Sequence, residues 1–257
     1  MTDRNQKLKP GVLKNDRFVF EYVVEGSGEP TIVFESGLGN DWRIWSPLIR
    51  ELNSVTRTLA YNRAGYGRSS SRERDRNGDV IAAELHSLLH ALNYKPPYIL
   101  AGHSLGGAFV EIFAQQHPAE VCGLVLIDPM GAEMDELCRK NSISDWERPS
   151  LLGKIMASMF LPKGARQELK MREKTLSQTR VGPVCSNRFP VILLSAGKGM
   201  WSSRLQDAWL ESHVLLAKRY ADCCHVVEKD SGHHIQTDNP KFVAAQIVTR
   251  WFGRAAI

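Results

Sequence analysis

Nowhere in the 257 residues does an apolar run approach the roughly 18 to 20 residues that a membrane-crossing helix needs. The amino-terminal stretch Met1–Gly11 is polar and has no apolar signal core. A cytoplasmic protein without a membrane span is therefore expected. Cysteine is scarce: the five are Cys122, Cys138, Cys185, Cys223 and Cys224. None forms a C-x-x-C pair, and an odd count with two adjacent members argues against a disulfide framework. No His or Cys cluster has evident metal-ligand spacing and no dinucleotide fingerprint occurs, so neither a metal nor another cofactor is expected.

Charge of one sign is also lacking. The net charge of +5 comes from 33 Lys+Arg against 28 Asp+Glu. The densest basic stretch, Arg68–Arg76, contains Glu73 and Asp75 and reads as a solvated loop. Aromatics do not interleave with basic residues as a nucleic-acid platform requires, so no nucleic-acid partner is expected. An apolar share of 43% beside 24% charged residues excludes a disordered chain, a collagen-like repeat and a coiled coil.

What the chain does have is alternation. Thr31–Phe34, Thr58–Tyr61, Tyr98–Ala101, Val121–Ile127 and Val191–Ser195 are short apolar runs, the pattern of strands buried on both faces of a parallel sheet. Between them lie segments of helical length, Trp45–Leu52, Val80–Leu92 and Ser104–Gln116. This β-α-β rhythm predicts an open α/β sheet. Arg17–Glu25, then Gly26-Ser-Gly28, then Thr31–Phe34 reads as an antiparallel hairpin leading into it.

From Pro129 to Arg188 the strand rhythm stops. Glu133–Lys140, Leu151–Phe160 and Ala165–Thr179 have the look of short helices, broken at Pro149 and Pro162. A segment this long is not an ordinary connection. The reading is a core of residues 1–130 and 189–257, with a helical cap inserted at 131–188. Met130, Met134, Met156, Met159, Phe160 and Leu161 either line an adaptable apolar pocket there or pack its helices together.

The chemistry-bearing motif is Gly102-His103-Ser104-Leu105-Gly106, a G-x-S-x-G set between an apolar strand and an amphipathic helix. A sharp strand-to-helix turn lifts the serine hydroxyl clear of the sheet, and the glycines remove side chains that would collide. The serine needs a base. His86 and His90 lie on a surface helix, His117 closes another, His213 is helical, His225 is in a strand, and His103 adjoins the serine. His233 and His234 remain, in a loop after the last strand, where a parallel sheet places its site.

With Gly232-His233 followed by Asp238-Asn239-Pro240, the chain resembles the α/β-hydrolase fold superfamily of serine-nucleophile hydrolases. Glu35-Ser-Gly-Leu-Gly39 resembles its oxyanion loop. Tyr61–Ser69 resembles its D-x-x-G-x-G-x-S turn, with Asn62 where Asp is usual. The resemblance implies a mostly parallel sheet flanked by helices, with the cap after the sixth strand. It implies Ser104 as nucleophile, His233 rather than His234 as base, and the N–H groups of Leu38 and Leu105 as oxyanion donors. Many relatives carry the acid after the strand at Val191–Ser195, where this chain has no carboxylate. The family's other position, after the preceding strand, is Asp128. A small ester is the expected substrate, with no cofactor. Serine at the elbow argues against dehalogenases and epoxide hydrolases, which use aspartate there. Perhydrolases, carbon–carbon bond hydrolases and a non-enzymatic small-molecule sensor remain as alternatives, and oligomeric state is open.

Overall fold

The computed structural model describes residues 8–14, 18–71, 75–141, 143, 161–180, 189–199 and 202–253. Eight strands form one sheet: β1 Gly11–Lys14, β2 Val19–Glu25, β3 Thr31–Glu35, β4 Thr58–Tyr61, β5 Tyr98–His103, β6 Val121–Ile127, β7 Val191–Ala196 and β8 Cys223–Glu228. Their order is β1-β2-β4-β3-β5-β6-β7-β8. β1 and β2 pair antiparallel, as do β2 and β4, and every pairing from β4 onward is parallel.

The parallel strands are central because both of their faces are apolar. Val33, Leu100, Leu124, Leu126 and Leu193 point into one buried layer, with Leu85, Leu88, Ile112 and Phe113. Ile32, Phe34, Ile99, Val125, Ile127, Ile192 and Leu194 point into the other, with Leu48, Ile49, Val243 and Ile247. Successive residues of one strand thus feed two cores. Burying each such side chain contributes about 1.5 to 3 kcal/mol, so a charge at either parity would be disruptive. Helices α2 (Gly78–Ala91) and α3 (Leu105–Gln116) cover the first face. Helix α1 (Ser46–Leu52), led in by the 3-10 turn Trp42–Trp45, covers the second. The indole of Trp45 stacks on Phe34 with ring centres 4.7 Å apart.

The expected hairpin between Arg17–Glu25 and Thr31–Phe34 does not form. β2 pairs instead with β1 upstream and with β4. β3 is buried along its whole length and sits between β4 and β5. β2 keeps a half-exposed pattern that suits a position near the sheet's edge.

After β6 come α4 (Met134–Lys140), α5 (Lys163–Lys170) and α6 (Arg172–Gln178), so a helical insertion does follow the sixth strand. The single helix expected over 165–179 is two helices, parted at Met171. The expected helix Leu151–Phe160 lies outside the described residues, as do Met156 and Met159. Met134 packs among Leu137, Cys138, Leu205 and Trp209, which is helix packing. The chain then runs β7, α7 (Ser203–Ala217), β8, the short α8 (Ile235–Asp238) and α9 (Pro240–Phe252). Cys122, Cys138, Cys223 and Cys224 are free thiols. Among the described residues no helix is long and apolar enough to cross a membrane.

Candidate active site

Ser104 occupies the single residue between β5 and α3, at φ +53° and ψ −124°. Few non-glycine residues adopt such a backbone, which costs about 1 to 3 kcal/mol and persists only where the surroundings enforce it. Three main-chain hydrogen bonds do so here. Ser104 N–H donates to the Ile127 carbonyl (3.1 Å), and the Ser104 carbonyl accepts from Gly107 (3.0 Å) and Met130 (3.1 Å). The two glycines of the pentapeptide are steric necessities. A Cβ on Gly102 would lie 2.5 Å from the Gly106 carbonyl oxygen, and one on Gly106 would lie 2.3 Å from that of Glu35.

Asp128 follows β6 at φ +42° and is buried. Its Oδ2 accepts from His233 Nδ1 at 2.6 Å and its Oδ1 from the Ala196 N–H at 2.8 Å. The end of β7, where many relatives carry the acid, thus supplies a backbone donor to Asp128. Burial would raise the Asp128 carboxyl, but the His233 bond, the nearby imidazoles and the Ala196 N–H hold it below its ordinary value. The bond to Asp128 also fixes the neutral His233 ring as the Nδ1–H tautomer, leaving Nε2 as its basic atom. His233 is held by its own backbone, whose carbonyl accepts from His103 Nε2–H at 2.8 Å. The loop before it is closed by Asp238, which accepts from the Gly232 N–H at 2.8 Å. The His234 ring lies 5.0 Å from that of His103.

Behind Asp128 is a buried polar chain that sequence reasoning passed over. His213 Nε2–H donates to the Pro129 carbonyl at 2.7 Å. Its Nδ1 must then accept, and Ser195 Oγ lies 2.7 Å away. Ser195 in turn accepts from His225 Nε2–H at 2.7 Å. One proton placement satisfies all three bonds. Burial pushes the His213 imidazole down to about 4, so the ring is neutral and serves as a fixed strut beside Asp128.

The loop Glu35–Gly39 lies over the elbow; a Cβ on Gly37 would sit 3.1 Å from that of Ser104. Arg63 holds this loop from beneath. Its guanidinium donates to the Ser36 carbonyl at 2.6 Å and to the Gly37 carbonyl at 3.1 Å. Carbonyl and N–H of one trans peptide point in opposite directions, so anchoring the Gly37 carbonyl turns the Leu38 N–H away from Arg63. Arg63 also pairs with Glu35 (2.6 Å) and, through two bonds of 2.8 Å, with Glu168 on α5. All three side chains are buried. Tyr66 lies under the cation and donates its hydroxyl to Glu168 at 2.6 Å. Leu105 opens α3, where first-turn N–H groups have no carbonyl one turn earlier in the helix.

Asn62, at the usual aspartate position, donates to Glu21 Oε2 at 2.8 Å and accepts from the Trp42 N–H at 2.8 Å. The carboxylate has moved to the neighbouring strand, so an amide must face it.

The structure thus brings Asp128 and His233 into contact and sets Ser104, Leu38 and Leu105 around one elbow. It also places His213, His103 and the Arg63–Glu168 pair beside them, which pattern alone did not reveal.

Residues 30–211 match the family model of the alpha/beta hydrolase fold. The chain belongs to that family. It is 27% identical over 227 residues to protein YqjL of Bacillus subtilis (strain 168), covering 88% of this chain and 85% of that one. Among solved structures it is similar to a thermophilic esterase from Thermogutta terrifontis. There the TM-score is 0.68 at 17% identity, over 97% of this chain and 100% of the other. It is also similar to the carboxylesterase CesB (YbfK) from Bacillus subtilis, with a TM-score of 0.66 at 16% identity over 98% and 94% of the two chains. At those identities the likeness to the solved structures establishes the fold and no more of this hydrolase-fold chain.

Proposed function

We propose that this protein is a serine hydrolase that cleaves small carboxylic esters through Ser104, His233 and Asp128. The observation that carries the reading is the 2.6 Å bond between Asp128 Oδ2 and His233 Nδ1, made across 105 residues of chain beside a serine on a strained elbow.

His233 Nε2 takes the proton from Ser104 Oγ as that oxygen adds to the ester carbonyl carbon. Asp128 stabilises the imidazolium and keeps its charge throughout. The Leu38 and Leu105 N–H groups donate to the oxyanion, each such donor contributing about 3 to 4 kcal/mol to the transition state. Collapse breaks the bond to the alcohol, which leaves with the proton from His233. Water then adds to the acyl-enzyme as His233 takes its proton, and the acid leaves Ser104 reprotonated. Chain, substrate and water supply every proton and electron pair in this sequence. An ester is favoured over an amide because its leaving group is easier to expel, and the esterases among the similar structures agree with that choice.

Residues 131–188 act in this reading as a cap over the core formed by 1–130 and 189–257. Two contacts support it: Glu168 reaches Arg63 beneath the oxyanion loop, and Leu161 lies against Gly39.

The test is intact-protein mass after a fluorophosphonate, followed by a panel of p-nitrophenyl esters. A single adduct is expected on the parent and none on Ser104→Ala. Labelling of Asp128→Asn and His233→Ala should slow by about 10³- to 10⁴-fold. Normal labelling of Asp128→Asn would remove that residue from the mechanism. A folded parent that takes no adduct would overturn the hydrolase reading.

A further inference from the structure

We infer that His86, His90 and Glu120 form a binding site for one divalent transition-metal ion of the zinc class. The site is independent of the proposed hydrolysis. The sequence reading expected no metal, although the four-residue spacing of His86 and His90 puts both rings on one face of α2. What the sequence did not reveal is the third group. Glu120 ends the 3-10 turn Pro118–Glu120, just before β6, and the fold brings it to the same two rings.

His86 Nε2 lies 3.0 Å from His90 Nε2 and 3.0 Å from Glu120 Oε1. All three ligand atoms fall within 4.8 Å of one another. Hydrogen bonds satisfy this arrangement only weakly. A single proton on His86 Nε2 has two acceptors to serve, Glu120 Oε1 and the bare Nε2 of His90, and a shared bond is weaker than a full one. If His86 Nε2 carries none it can accept from His90, but its lone pair then faces a carboxylate oxygen. A cation placed between the three atoms accepts every lone pair at once.

Two further observations agree. Glu120 Oε2 is buried and has no hydrogen-bond partner among the described residues, so this carboxylate is poorly accounted for by protein contacts. The His86 ring is also held in place: His117 stacks flat on it at 3.9 Å with 2° between the planes, and Phe113 lies 6.0 Å away. A ligand whose ring cannot turn is already arranged for binding.

Two imidazole nitrogens and one carboxylate oxygen suit Zn²⁺, Co²⁺ or Ni²⁺ and not Ca²⁺ or Mg²⁺, which prefer oxygen throughout. A tetrahedral zinc ion wants its donors about 3.3 Å apart, so the two 3.0 Å contacts of His86 need to open by a few tenths of an ångström. His90 is exposed, which leaves an entry path and room for water as a further ligand.

The site lies at the amino-terminal end of β6, whereas Ser104 follows the carboxyl end of β5. A six-residue strand separates those ends by about 20 Å. The ion therefore takes no part in acyl transfer. It would brace α2 against the connection between α3 and β6.

The experiment uses the full chain, stripped with a chelator and titrated with Zn²⁺ by calorimetry, alongside His90→Gln and Glu120→Gln. One Zn²⁺ per chain is expected, with each variant binding at least tenfold more weakly. At a hundredfold excess over Kd the parent's Tm should rise by about 5 to 10 °C, and that rise should disappear in His90→Gln. Fluorophosphonate labelling should be the same in the parent and in His90→Gln. Co²⁺ supplies a spectroscopic check, since a four-coordinate nitrogen–oxygen set gives visible bands that both variants should lose. No Zn²⁺ uptake by the folded parent would overturn the site. So would uptake that both variants retain at parental affinity, because the ion would then be held elsewhere.

Discussion

Replacing His213 with Gln should flatten the acid side of the protein's stability profile by a calculable amount. His213 is fully buried, donates to the Pro129 carbonyl and accepts from Ser195, which only a neutral ring can do. Its value is pushed down to about 4 from the ordinary 6.5. Above about pH 7.5 neither folded nor unfolded chains protonate this ring appreciably, and it costs nothing. As the pH falls toward 4 the unfolded chain takes up a proton that the folded chain refuses, so stability is lost. Integrating the difference gives a loss of about 2 kcal/mol at pH 5 and about 3 kcal/mol at pH 4. The assay is urea unfolding of parent and His213→Gln at about pH 7.5 and about pH 5, compared as a change within each protein. Burial also lowers His103 and His225, but both remain in the variant and cancel. The variant should be less stable at the higher pH, because a buried network is broken. Its loss on acidification should nevertheless be smaller than the parent's by about 2 kcal/mol. Equal losses in the two proteins would refute a neutral, buried His213.

Two other substitutions probe the supports of the site. Glu168→Ala leaves the Arg63 cation buried with one carboxylate fewer and should cost about 3 to 5 kcal/mol. That corresponds to a Tm lower by roughly 6 to 20 °C in a thermal melt; an unchanged melt would show that Glu35 alone suffices. Asn62→Asp sets two carboxylates where an amide now donates to Glu21 at 2.8 Å, and should destabilise by about 1 to 3 kcal/mol near neutral pH. One of the pair would bind a proton more tightly when folded, so the defect should shrink as the pH falls toward 5. Urea midpoints that shift equally at both pH values would contradict this.

The sheet was legible wherever a strand is apolar on both faces, and β4 and β6 have the bounds that their apolar runs suggest. Pairing near the edge was not legible. β1 is four residues long, and nothing local distinguishes β4 from β3 as the neighbour of β2. Of the residues proposed for the site, Ser104 stands out because its turn demands glycines at fixed offsets; position in the chain left both His233 and His234, and only the family resemblance chose His233. Asp128 could be reached only through the lack of a carboxylate after β7. His213 was passed over because a histidine in a helix carries no local mark of what it will face; its partners Pro129 and Ser195 come from two different strand ends. Arg63 and Glu168 are 105 residues apart and sit in segments with no shared pattern. Contacts of that kind exist only once the chain has folded.

The place of Asp128 has a consequence for the turn after β7. Where an acid stands in that turn, its length and composition are bound to the reaction. Here the turn gives only a main-chain N–H, from Ala196, which any residue but proline can supply. Gly197 stays glycine, because a Cβ there would lie 2.5 Å from Lys229 Cα, and the Lys198 N–H still holds the Ser231 carbonyl at 3.0 Å. The stretch beyond them is released to drift in sequence or to lengthen, and new surface can be grafted there without touching the groups that meet at Asp128.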